Sequence, residues 1–403
     1  MPTEAFSVLT KAGHTLSGSL EMPTGLLRGA AVFAHCFTCT KQSKAAVSVA
    51  RTLASEGIAC LRFDFTGLGG SQGEFGRAGF SSDVDDLVAT VGALADRFNT
   101  KLLLIGHSLG GAAVLAAAHQ LGKDKVAAIA TIGAPSDVPH VLHNIKGDQG
   151  AIRRDGSGTV SIGGREFLLG REFLEQTEAV NLLELLGGLR IPYLCLHSPT
   201  DQIVGIEHAT ALFGTAFHPK NFVSLAGADH LLTDARDAGF AAKTIAAWAD
   251  RYLPETENPI NTEVGVLSQT GYGKFGTEVH AGTHHFIADE PLNYGGDNSG
   301  PTPYDLLGAA LGTCTVMTMK MYADRKKLPL DMARVHVTHE RKHSVDCEEC
   351  ETGETVQALH REIELVGPEL TEADRDRIIA IADKCPVHRT LEGKLHIVTR
   401  SKA

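Results

Sequence analysis

Short apolar runs alternate with longer stretches of helical periodicity through the first part of the chain. The runs at 30–35, 58–63, 101–105, 126–132, 191–197 and 221–225 are β-rich, and helical patterns separate them. Repeated strand–helix units of this kind predict a mostly parallel sheet with helices on both faces. Between about 139 and 188 the alternation breaks into charged, glycine-rich sequence, and 160–167 reads as a small hairpin. An insertion there predicts a cap over a pocket.

The pattern changes after the helical run that ends Ala246-Ala247-Trp248-Ala249-Asp250-Arg251-Tyr252. Residues 254–262 open with Pro254-Glu255-Thr256-Glu257-Asn258-Pro259, polar and bracketed by prolines, and predict a linker between domains at 1–253 and 263–403. Beyond it, two strands (265–268 and 277–280), a long helix at about 303–327, two more strands and a second helix at 371–383 predict an α+β domain.

Gly106-His107-Ser108-Leu109-Gly110 stands between the apolar run Leu102-Leu103-Leu104-Ile105 and the helical run 112–121. It has the G-x-S-x-G form of a turn too tight for Cβ atoms at its flanks, which lifts a serine hydroxyl above a sheet. A serine hydroxyl is too weakly acidic to attack an ester at neutral pH, so an imidazole must take its proton and a carboxylate must orient that imidazole. Asp201 follows the run 191–197 in Ser198-Pro199-Thr200-Asp201, and His230 follows 221–225 in Ala226-Gly227-Ala228-Asp229-His230. Both are expected in loops at the edge of the sheet that carries Ser108. Asp229, adjacent to the histidine on the same loop, is poorly placed to reach Nδ1, so Asp201 is the expected acid.

On these residues and their Ser, Asp, His order, the first 250 residues resemble the alpha/beta-hydrolase family. Two backbone amides must face the carbonyl oxygen as it gains charge. One is expected from Leu109; for the other, the resemblance points to Phe37 in His35-Cys36-Phe37-Thr38-Cys39-Thr40, where Cys36 stands at a position usually held by glycine. The turn Asp64-Phe65-Thr66-Gly67-Leu68-Gly69-Gly70-Ser71 lacks the lysine of a phosphate loop and is similar to a structural turn of that family.

The second part has thiols of its own. Cys314 lies in the helical run 308–321, with Met317 and Met321 on its face, and is expected to open onto an apolar wall. Cys385 begins Cys385-Pro386-Val387-His388-Arg389, read as a proline-led break where neighbouring cationic groups favour a thiolate. With Gly300-Pro301-Thr302-Pro303-Tyr304-Asp305-Leu306-Leu307 as the helix start, residues 263–403 resemble the OsmC/organic hydroperoxide resistance family. The resemblance implies that Cys314 attacks an organic hydroperoxide, that Cys385 resolves the resulting sulfenic acid as a disulfide for a thiol reductant, and that the chain forms a homodimer. Tyr304, with Asp305 beside it, stands where that family's glutamate is expected, and no activating arginine is identifiable.

Composition narrows the classes. The chain has 403 residues, 43% hydrophobic and 21% charged, as two globular domains would. A formal charge of −11 offers no footprint for nucleic acid, no apolar stretch is long enough for a membrane span, and the start Met1-Pro2-Thr3-Glu4 carries no leader pattern, so a cytoplasmic location is expected. Its eight cysteines then read as reduced or catalytic thiols, Cys60 and Cys195 as core residues, and Cys36–Cys39 as having no metal or redox role. His339, His343, Cys347 and Cys350 have the composition of a zinc site without the usual spacing, so no metal is assigned, and no cofactor signature is found. The expected function is hydrolysis of a small carboxylic ester by Ser108, His230 and Asp201, fused to an OsmC-like thiol domain with organic hydroperoxide reductase activity. Two alternatives stand: a peroxide-defence enzyme acting on oxidised acyl lipids, and a hydrolase with a non-catalytic OsmC-like dimerisation module.

Overall fold

The computed structural model describes all residues except 1, 26, 38, 76–78, 144–146, 163–164, 254–261, 272, 344–354 and 402–403. The expected linker at 254–262 therefore lies almost wholly outside the described residues. By contact density the chain divides into two units, one of residues 1–287 and 292–299, the other of residues 288–291 and 300–403.

The strands of the first unit are β1 (Thr3–Leu9), β2 (Thr15–Glu21), β3 (Gly29–Ala34), β4 (Ile58–Phe63), β5 (Leu102–His107), β6 (Val126–Ile132), β7 (Ser157–Ile162), β8 (Arg165–Gly170), β9 (Tyr193–His197), β10 (Lys220–Ser224), β11 (Thr262–Thr270), β12 (Thr277–Gly282) and β13 (His284–Ala288). Its helices are α1 (Lys44–Ser55), α2 (Gly79–Phe98), α3 (Leu109–Lys125), α4 (His140–His143), α5 (Gln149–Asp155), α6 (Arg171–Ala179), α7 (Leu182–Gly188), α8 (Ile206–Thr215) and α9 (Ala235–Ala249). An eight-stranded sheet runs β1-β2-β4-β3-β5-β6-β9-β10. Only its β1–β2 and β2–β4 pairs are antiparallel; the rest of the ladder is parallel.

The apolar runs are continuous because each strand feeds two cores. On β5, Leu102 and Leu104 face one core and Leu103 and Ile105 the other; on β3, Ala30 and Val32 oppose Ala31 and Phe33. Helices α2 and α3 cover the first face, α1 and α9 the second. The hairpin β7–β8 forms in the predicted insertion, paired from Ser157↔Gly170 to Ile162↔Arg165. Insertion residues Leu169, Phe173, Leu174, Leu182 and Leu186 join the α2–α3 core. Strands β11–β13, expected to open the second domain, form a three-stranded sheet and group by contact with the first unit.

The second unit is built on α10 (Pro303–Lys326), the hairpin β14 (Met332–His343) and β15 (Thr355–Val366), α11 (Glu372–Ala382) and α12 (Pro386–Glu392). Two capping boxes, Thr302 with Asp305 and Thr371 with Asp374, set the starts of α10 and α11. Met319, Ala323, Leu330, Leu370, Ile378 and Ala382 form its core. Among the described residues no helix is long and apolar enough to cross a membrane.

Candidate functional site

The turn between β5 and α3 brings Ser108 to φ 55°, ψ −124°, a region costly for a residue with a Cβ. Its neighbours have none for a visible reason. A Cβ on Gly106 would lie 2.3 Å from the Gly110 carbonyl oxygen, and one on Gly110 would lie 2.4 Å from that of Ala34. The turn is pinned by the Ser108 N–H to Ile132 O at 2.8 Å and the Gly111 N–H to Ser108 O at 2.8 Å.

The loop after β9 carries Asp201 and the loop after β10 carries His230. His230 Nε2 is 2.9 Å from Ser108 Oγ, and its Nδ1 is 2.7 Å from Asp201 Oδ2. The other carboxylate oxygen accepts from the N–H groups of Ile203 at 2.8 Å and Val204 at 3.0 Å. Burial pushes the Asp201 carboxyl up, but the bonds from His230 and these amides outweigh it and hold the group below its ordinary value. Asp201 is thus held in its charged form opposite Nδ1, while Nε2 faces the Ser108 hydroxyl. Asp229 accepts from the N–H groups of Leu231 and Thr233 in its own loop.

His107, whose role no motif signals, braces the loop of His230. Its Nε2 is 2.7 Å from the His230 carbonyl oxygen, which fixes the proton on that nitrogen. Burial, reinforced by His230, lowers its pKa to about 4, so the ring is a neutral donor at pH 7.

Phe37 and Leu109 line one crevice beside the elbow, together with His35, Phe65, Phe75 and Asp83. It has room for about one water molecule. Phe37 packs on Phe75 at 5.5 Å and on Phe173 at 5.7 Å, and Phe167 adds a fourth ring 4.9 Å from Phe75. Phe167 and Phe173 come from the insertion, which thus packs behind two of the rings that line the crevice. Asp83, also unforeseen, is held well above the ordinary carboxylate range by burial and then by Asp86.

One cysteine expectation is corrected. Cys36 and Cys39 are joined as a disulfide rather than standing as reduced thiols. The Cys39 N–H donates to Cys36 O at 3.1 Å, a turn that sets the two Cα atoms 5.4 Å apart, within bonding reach. Cys60 and Cys195 are free and buried in strands, and burial pushes Cys195 up to about 11 and Cys60 higher still.

In the second unit Cys385 is the N-cap of α12, with Pro386 at its first position, so the expected break is a helix start. Its Sγ accepts from the His388 N–H at 3.3 Å and lies 3.6 Å from Thr315 Oγ. Burial raises this thiol, but the His388 amide, Thr315, Cys314 and Arg361 together bring it below its ordinary value. Cys314 is partly exposed and Cys385 buried. The methionines do not form the expected wall: Met317 is 64% and Met321 72% exposed. Tyr304 stacks on His339, centroids 4.1 Å apart, beside a groove of about 450 Å³ between α10 and β14–β15. His339 Nε2 is 2.7 Å from Gln357 Oε1. Cys347, Cys350 and the side chain of His343 lie outside the described residues; among those described no three His, Cys, Asp or Glu side chains converge on a metal position.

Residues 27–150 match the family described as serine aminopeptidase, S33, and residues 296–400 match the OsmC-like protein family. The esterase domain of a Rhodothermus marinus protein is 44% identical, over 62% of this chain and 99% of that one, with a TM-score of 0.52. The chain is an alpha/beta hydrolase fused to an OsmC-like domain. The hydrolase fold is shared with Est1E of Butyrivibrio proteoclasticus, solved with ferulic acid, at 21% identity over 62% of this chain and 99% of that one and a TM-score of 0.54. YfhR of Escherichia coli O157:H7, an uncharacterized protein, is 23% identical over 42% of this chain, which spans about half (52%) of YfhR. The alpha/beta-hydrolase part ends its parallel strands at one edge, and Ser108, Asp201 and His230 all stand there.

Proposed function

We propose that the hydrolase unit cleaves small carboxylic esters through Ser108, His230 and Asp201. The observation that carries this is the unbroken relay from Ser108 Oγ through His230 at 2.9 Å to Asp201 at 2.7 Å. Ser108 attacks the ester carbonyl while His230 Nε2 takes its proton; the charge on the carbonyl oxygen is met by the amides of Phe37 and Leu109. His230 returns the proton to the departing alcohol, then draws one from water, which attacks the acyl-serine and frees the acid. Asp201 stays ionised throughout and fixes the ring. The identity to an esterase domain supports an ester over an amide, and the narrow aromatic crevice supports a short acyl group. Chromogenic esters of graded chain length test this. Turnover highest for the shortest acyl groups, and abolished in Ser108→Ala, is expected; a Ser108→Ala protein that kept its turnover would remove the assignment.

For the OsmC-like unit we propose thiol-dependent reduction of organic hydroperoxides. The supporting observation is the Cys385 sulfur set against Cys314 and Thr315 of α10, with Cys314 partly exposed. The Cys314 thiolate attacks the terminal peroxide oxygen, the O–O bond breaks, an alcohol leaves and a sulfenic acid remains; Cys385 displaces its hydroxyl as water, giving a disulfide that an external dithiol reduces. One equivalent of cumene hydroperoxide added to the reduced protein, followed by peptide mass spectrometry, is expected to yield Cys314–Cys385. Unmodified thiols would remove the peroxidase reading and leave the unit as a scaffold or binding pocket.

A further inference from the structure

Strand β15 packs one row of side chains inward. Ile363 and Leu365 on that row lie against the core of the second unit. Arg361, next in the same row, is a charged residue in an apolar position, with a side chain only 13% exposed. A guanidinium placed there must be fully engaged. Nη1 donates to Thr315 Oγ at 3.2 Å and to Ala382 O at 3.2 Å, and Nη2 to Asp383 at 2.6 Å. The first of these acceptors touches the sulfur of Cys385.

Thr315 couples the two. Its Oγ is 2.7 Å from Leu311 O and 3.6 Å from Cys385 Sγ, so its single proton can serve either one. Arg361 occupies a lone pair of the same oxygen and leaves that proton free to turn toward sulfur. The groups facing Cys385 are then Thr315 and Cys314 from α10, Arg361 from β15 and the His388 amide from α12. Asp383 is turned to the guanidinium, and the His388 ring to Glu392 at 2.9 Å.

We propose that Arg361, acting through Thr315, is a positioning residue that makes Cys385 both the sulfur that attacks oxidised Cys314 and the sulfur that leaves when the disulfide is reduced. The resolving role rests on the peroxidase reading above; the leaving role does not. Access selects the direction of reduction: Cys314 is partly exposed and Cys385 buried, so a thiolate from an external dithiol attacks Cys314 Sγ. The Cys314–Cys385 bond breaks, Cys385 departs with the electron pair, and the second thiol of the dithiol then displaces Cys314. The leaving step quickens as the leaving thiolate is better stabilised.

The test needs no peroxide. The full chain is oxidised with diamide, the Cys314–Cys385 disulfide is verified by mass spectrometry, and its reduction by dithiothreitol is followed. Arg361→Met is expected to slow reduction about tenfold and to shift the equilibrium with dithiothreitol toward the disulfide. Thr315→Val, close in volume, is expected to move both in the same direction, and far-UV circular dichroism identifies any variant that has lost its fold. Unchanged rates and equilibrium in both variants overturn the proposal, as does a wild-type protein in which diamide does not join the two cysteines. Cumene hydroperoxide added to the reduced wild type separates the two readings: no consumption of peroxide, with the exchange effects present, removes the peroxidase and leaves the role of Arg361 in exchange standing.

Discussion

At the scale of single residues the hydrolase site is a set of obligations that each admit few substitutes. Gly110 is the sharpest case, because its absent Cβ leaves the space taken by the backbone oxygens of Ala34 and His35, at 2.4 and 2.5 Å from where that atom would stand. Backbone cannot rotate aside as a side chain can. Gly110→Ala is therefore expected to lower stability by roughly 2–4 kcal/mol and to abolish ester turnover, measured by urea unfolding and initial rates. His107 makes a prediction in pH. Its folded pKa of about 4 lies below the ordinary value of 6.5, so between those values the unfolded chain binds a proton that the folded one refuses. Stability is present above pH 6.5 and is lost as pH falls toward 4. His107→Asn, which retains an N–H donor, is expected to lose roughly 2–3 kcal/mol less than wild type between pH 7 and 4.5 in urea titrations. Equal losses would mean that the ring is already protonated in the folded protein.

At the scale of elements, the strands feeding two cores were legible, since β4 and β6 carry apolar side chains on both faces and fall at 58–63 and 126–132 as the pattern predicts. The antiparallel strands β1 and β2 were not. TEAFSVL and TLSGSLE carry few large apolar residues, with Gly18 at a buried position of β2, and no turn residue pair marks their hairpin. The start of α12 reads as a break in the sequence because proline ends a helix or opens one, and only the thiol capping its first turn tells which. Arg361 gave no signal at all, since its meaning comes from an inward register that β14 and α10 impose from outside its own strand. The tight turn at Gly106–Gly110 was readable because its steric requirements are local. The insertion announced itself by interrupting a rhythm, yet the packing of Phe173 on Phe37 and of Phe167 on Phe75, behind the crevice, depends on how it folds back. Phe173→Ala removes a buried ring stacked on Phe37. It is expected to cost roughly 3 kcal/mol of stability and to raise kcat/KM for medium-chain relative to acetyl esters about tenfold. A parallel fall for all chain lengths would show that the cap orders the site rather than sizing it.

At the scale of the whole chain, an alpha/beta-hydrolase domain and an OsmC-like domain share one polypeptide. The proposed ester cleavage exchanges no electrons, whereas the proposed peroxide reduction would need its thiols reduced again after each turnover. The residues of each lie within a single contact unit, and none is common to both. Independence is the expectation that follows. Ser108→Ala should abolish ester turnover and leave the rate of Cys314–Cys385 formation with cumene hydroperoxide unchanged, while Cys314→Ser should do the reverse. Peroxide defence acting on oxidised acyl lipids makes a different demand, because one molecule would present its ester to one unit and its hydroperoxide to the other. With an ester of a hydroperoxy fatty acid as substrate, two uncoupled sites release acid and consume peroxide at rates that each variant alters singly. A coupled enzyme would show peroxide consumption that falls when Ser108 is replaced. Measuring both products from that single substrate in wild type and the two variants decides between a fusion of convenience and a fusion with a common substrate.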